Sequence, residues 1–79
     1  MQGYDHYAEA RRLADMLTHE GLDDWAKEIV DAISEGSTGT EIFMRLRMQI
    51  ALLLASTQGS PEIISCANRL HKELDSALN

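Results

Sequence analysis

Leu22, Trp25, Ala26, Ile29, Val30 and Ile33 recur at i, i+3, i+4, i+7, i+8 and i+11, a single apolar stripe that only a helix can present on one face. A strand would need alternation instead, and no alternating run of β-branched residues, no Asn-Gly and no Asp-Gly turn occurs anywhere in the chain. Similar stripes predict three further helices. Tyr7, Ala10, Leu13, Ala14 and Leu17 mark the first, over 5–20, with Asp5 as N-cap and Gly21 as a left-handed stop. The second covers 23–35, with Asp23 as its cap, Leu22 as a staple and Gly36 as its end. The third covers 39–56, where Thr38 followed by Glu41 reads as a capping box and Thr40 is the other cap candidate. The fourth covers 61–77, opened by Ser60 as cap and Pro61 at the first helical position, with Ile63, Ala67, Leu70, Leu74, Ala77 and Leu78 as its stripe. Connectors of a few residues favour antiparallel neighbours. The expected fold is all-α: one domain over 1–79, an up-down-up-down four-helix bundle.

At 79 residues the core is thin, and chains of this size commonly gain from a disulfide, a metal or a second subunit. Cys66 is the only cysteine, which excludes an intrachain disulfide and fits a reducing cytoplasm. The first residues, Met1-Gln2-Gly3-Tyr4-Asp5, carry no basic or apolar leader, and glycine stands at position 3 rather than at the myristoylation position. The longest apolar run, Ile50 to Ala55, is far shorter than the ~20 residues of a membrane span. A cytoplasmic protein is expected.

The third helix has apolar residues to spare. Ile42, Phe43, Leu46, Ile50, Leu53 and Leu54 share one arc, while Met44, Met48, Ala51, Leu52 and Ala55 lie on another. Two readings follow. Either this helix is central and buried against the other three, or the row Met44, Met48, Leu52 faces outward as a surface for self-association or another partner, a use to which adaptable methionines are suited.

Charge divides the chain. Residues 1–36 hold nine carboxylates against three cations, the whole net charge of −6, and residues 37–79 balance four against four. Asp24, Glu28, Asp31 and Glu35 form a row along the second helix, with Lys27 its only base. Like charges one turn apart cost a few tenths of a kcal/mol per pair. The row is therefore either an ordinary solvated face or an acidic surface that meets a basic protein. Phosphate backbones and anionic lipid would be repelled, so neither nucleic acid nor membrane is an expected partner.

Chemistry-bearing patterns are missing. His6, His19 and His71 form neither His-Glu-x-x-His nor Glu-x-x-His, and one cysteine cannot make a zinc pair. His71 and Asp75, one turn apart, offer at most one edge of a metal site, and a solvated helix face explains them better. Cys66 has Glu62, Ile63, Arg69 and Leu70 as helical neighbours and no histidine base, which points to a structural thiol. Gly36-Ser37-Thr38-Gly39 lacks the lysine and the preceding strand of a phosphate loop. Trp25 belongs to the second stripe, a core position that could alternatively reach the surface as a binding anchor. No catalytic residue, metal or cofactor is expected.

The stretch Leu13 to Arg47, with Gly21-Leu22-Asp23-Asp24-Trp25-Ala26 and Gly36-Ser37-Thr38-Gly39-Thr40-Glu41-Ile42, resembles small uncharacterised acidic bacterial proteins, some of which look like toxin-neutralising immunity proteins. The resemblance covers a little under half of the chain. It implies a shared helical fold and an immunity or antitoxin type of role, and it transfers no functional residue. The expected function is a non-enzymatic acidic protein-binding module; the alternative is a small structural or regulatory homodimer.

Overall fold

The computed structural model describes residues 3–79, and among them the chain forms four helices and no strand. These are α1 (His6–His19), α2 (Asp23–Glu35), α3 (Gly39–Ser56) and α4 (Pro61–Leu78). Each helix packs on the next, and α4 closes back on α1. The principal neighbours of α3 are thus α2 and α4, not all three other helices.

Local chemistry sets the helix ends. Asp5 accepts a hydrogen bond from the Ala8 amide at 3.0 Å, Thr38 from Glu41 at 3.1 Å and Ser60 from Ile63 at 3.3 Å, each satisfying an amide that has no partner within its own helix. The expected Asp23 cap of α2 does not form. Leu22 occupies the cap position, and no side chain bonds the helix start. The cause lies in the preceding turn. The Leu22 amide donates to the Leu17 carbonyl at 2.8 Å and the Gly21 amide to Thr18 at 3.1 Å, while Gly21 takes a left-handed φ of 77°. This double bond pattern ends α1 and carries Leu22 straight into the start of α2, so Asp23 is already the first helical residue. Asp23 and Asp24 still complement the helix dipole there.

Leu13, Leu17, Ile29, Leu46, Ile50, Leu53, Ile63, Leu70 and Leu74 are fully buried, with Ala10, Ala14, Ala26, Ala32 and Ala67 filling the gaps between them. No polar or charged residue is buried among the described residues. Val30, counted in the α2 stripe by spacing, is instead 45% exposed, and Ala32 takes the buried place. At the edge of a stripe, helix orientation decides which of two candidates turns inward, and the small side chain lets the neighbouring helix approach. Ala77 is likewise exposed at the end of the α4 stripe.

Gly36 ends α2 for a steric reason. Its φ of −71° suits any residue, but a Cβ at this position would overlap the Ile42 side chain and lie 3.2 Å from the Ile42 Cα. The connector therefore passes directly over the first turn of α3. Gly36→Ala should destabilise the fold by about 1–3 kcal/mol through this overlap. Chemical denaturation will measure it; an unchanged midpoint would refute the close approach.

Candidate functional site

Two adjacent surface strips hold the residues singled out by sequence. On α2, Asp24, Glu28 and Glu35 are exposed and Asp31 is half-buried. The row is not uniformly unpaired. Lys27 donates to Asp31 at 2.8 Å, and Arg45 of α3 lies 3.6 Å from Glu35 and 3.6 Å from Glu41. Asp31 raises the Lys27 pKa, through the hydrogen bond first and its charge second. All these pairs are solvated and add little stability. Asp24 and Glu28 form no ion pair among the described residues, although the charge of Glu28 also reaches Lys27.

Beside this row, Met44, Met48 and Leu52 stand outward at 53%, 55% and 52% exposure, while Leu46, Ile50 and Leu53 on the opposite side of α3 are fully buried. The row therefore faces outward and is not buried against the other helices. Glu28, Asp31, Glu35, Arg45, Met48 and Gln49 line one shallow hollow, so acidic and apolar strips meet along the α2–α3 edge. On the other edge of α3, Arg47 donates to Asp75 of α4 at 2.8 Å. That bond directs Asp75 to an arginine, so the pairing of His71 with Asp75 suggested by their spacing is not what the fold uses.

Trp25 is half-buried against the core, and its indole N–H donates to the Gln58 side-chain oxygen at 3.3 Å. A hollow beside it is lined by Leu22, Asp23, Asp24 and Gln58. Cys66 is half-buried in a groove between α1 and α4 lined by Glu9, Arg12, Met16, Glu62 and Arg69. Burial, then the negative charge of Glu9, pushes its thiol pKa up, and Arg12 opposes this only in part. A raised thiol has little thiolate at neutral pH and is a poor nucleophile. Alkylation of Cys66 should therefore be slower at neutral pH than that of an unfolded control, and the gap should close on denaturation. Equal rates would contradict the burial.

Sequence reasoning missed an aromatic cluster at the start of α1. Tyr4 and His6 meet edge to face at 5.1 Å, His6 lies 4.6 Å from Phe43, and Tyr7 lies 5.6 Å from Phe43. The His6 Nε2 is 3.3 Å from the Glu73 carbonyl, as a donor in the tautomer that protonates it, and the Arg69 guanidinium sits 5.0 Å above the Tyr4 ring. Only the stripe positions of Tyr7 and Phe43 hinted at this cluster, because its aromatic members come from α1, α3 and the segment before α1. The Tyr4 hydroxyl is buried with no hydrogen-bond partner among the described residues. Burial, then the nearby charge of Glu9, pushes its pKa from 10.0 up to about 12. Its contribution to folding is thus fully present below the ordinary phenol range and is lost as pH rises through about 12. Tyr4→Phe removes the unsatisfied group and should raise stability by about 1 kcal/mol. It should also reduce the loss of stability at alkaline pH. Denaturation of both forms at neutral and alkaline pH checks this, and a less stable variant would refute it.

No helix among the described residues is long and apolar enough to cross a membrane, and no group of three or more potential metal ligands converges there. No protein-family model, curated protein or solved structure matches the chain significantly.

Proposed function

We propose that this chain is a non-enzymatic, acidic protein-binding module that covers a basic partner through α2, in the manner of a bacterial immunity or antitoxin protein. One observation carries the reading. All of the net charge of −6 lies on residues 1–36, and Asp24 and Glu28 stand exposed on α2, outside the ion pairs formed among the described residues. A field of this kind speeds encounter with a cationic surface and sets its register. Asp31 and Glu35, already held by Lys27 and Arg45, form the end of the row where a partner must exchange existing ion pairs. The apolar edge at Met48 supplies adaptable contact area next to the carboxylates. The favoured partner chemistry is therefore a surface or helix with cationic and apolar faces side by side.

An up-down-up-down order of the helices supports a rigid display of this surface. It is favoured by contacts at the two ends of the bundle. At one, Glu20 accepts from the Ser60 amide at 3.0 Å and Trp25 donates to Gln58; at the other, His6 reaches Glu73 and Tyr7 meets Phe43. The lone, half-buried Cys66 favours a reducing cytoplasm as the working compartment.

Pull-down from a native lysate at low and high salt, with sensor kinetics on an amphipathic peptide rich in lysine and leucine, tests the reading. Asp24→Lys with Glu28→Lys should slow association by about tenfold at low salt, and high salt should erase the difference. Reversals that leave both rate and salt dependence unchanged would reduce the acidic row to a solvated face. A toxin gene next to that of this chain would favour the immunity role in particular.

A further inference from the structure

We propose that the outer face of α3 is an antiparallel seam for a second copy of this chain, bordering the acidic surface on α2 and sharing Met48 with it. Met44, Met48, Ala51 and Ala55 recur at intervals of four, three and four, the spacing that holds a seam facing another helix. All four are exposed, and Leu52 flanks them with 52% of its surface open. Arrangement along the seam identifies the occupant. Both large residues lie in its first half and both alanines in its second.

A parallel copy would stack methionine on methionine and alanine on alanine, leaving gaps at one end. An antiparallel copy sets Met44 against Ala55 and Met48 against Ala51, then repeats both pairs by symmetry. Alternating large and small residues across facing positions is how helices pack closely. The Arg45 stem of each copy then runs beside Leu52 of the other, covering its apolar side while the guanidinium stays with Glu35 and Glu41.

Charge does not oppose this pairing. The excess of −6 is on the first two helices, whereas α3 carries Arg45 and Arg47 against Glu41. Two copies joined through α3 thus meet on the half with least mutual repulsion. Area sets the strength. A stable dimer buries about 800 Å² per partner over some 20–30 residues, and one face of an 18-residue helix supplies less. The dimer is therefore reversible and concentration-dependent. The two-fold axis leaves both α2 rows on the same side, since α2 flanks the Arg45 edge of α3 and α4 flanks the Arg47 edge. A pair would then present two acidic rows on one side, with the seam between them covered.

Sedimentation velocity from about 10 to about 500 µM, at low and high salt, reads the association. Mass should rise with concentration, and salt should strengthen the dimer by screening like charges, the opposite of its effect on a basic partner. Failure of one reading is thereby separable from failure of the other. Met48→Glu should weaken the dimer about tenfold or more while leaving the helical spectrum intact. Two chains with Cys66→Ser, one carrying Met44→Cys and the other Ala55→Cys, test the register without adding charge. Mixed chains should form a disulfide joining the two positions, and neither chain alone should cross-link. A monomer at the highest concentration, a Met48→Glu dimer of unchanged strength, or disulfides between like positions would overturn the proposal.

Discussion

The surface of this protein depends on one constraint: four helices must bury a single narrow stripe each, with no polar or charged residue fully buried among the described residues. Leucine and isoleucine supply the bulk, and alanines at Ala10, Ala14, Ala26, Ala32 and Ala67 bring the backbones close enough to leave little space. With no buried charge or hydrogen-bond network to position, the core places few demands on chemistry and leaves the outer faces free to diverge. The consequence is clearest on α3. Its inner face meets the core through Leu46, Ile50 and Leu53, and once those are buried, Met44, Met48 and Leu52 cannot be.

Electrostatics follows the same division. The inner stripes fix which sides of α1 and α2 face water, and those sides carry the excess carboxylates. Local pairing then neutralises part of the α2 row. Lys27 and Arg45 hold Asp31 and Glu35, leaving Asp24 and Glu28 as the uncommitted charges at the other end. A row that looks uniform in sequence is therefore graded along its length. Its proximity to Met48 adds apolar contact to what would otherwise be a weak, salt-screened surface.

The acidic and apolar strips sit on helices rather than loops, and contacts between separate elements tie the ends of those helices. Glu20 to Ser60 and Trp25 to Gln58 link the turns at one end, while the cluster of Tyr4, His6, Tyr7 and Phe43 packs the other. Such ties hold strips of charge and apolar area at fixed spacing. The Cys66 thiol is half-buried, and His6 is engaged with a backbone carbonyl.

Local and periodic information by itself determined the helical class, the number of helices and most of their ends. Caps at Asp5, Thr38 and Ser60 act within three residues, and stripes repeat within one turn, so both are legible in a short window. Tertiary structure alone decided the rest. It chose Ala32 over Val30 for the core, because at a stripe's edge only the orientation of the neighbouring helix separates them. It gave the α2 cap position to Leu22, because the turn ending α1 had already committed that residue. It assigned Asp75 to Arg47 rather than His71 and turned the methionine row outward, because both outcomes rest on which helices α3 lies between. A chain's own spacing shows which residues share a face, but only packing shows what that face meets.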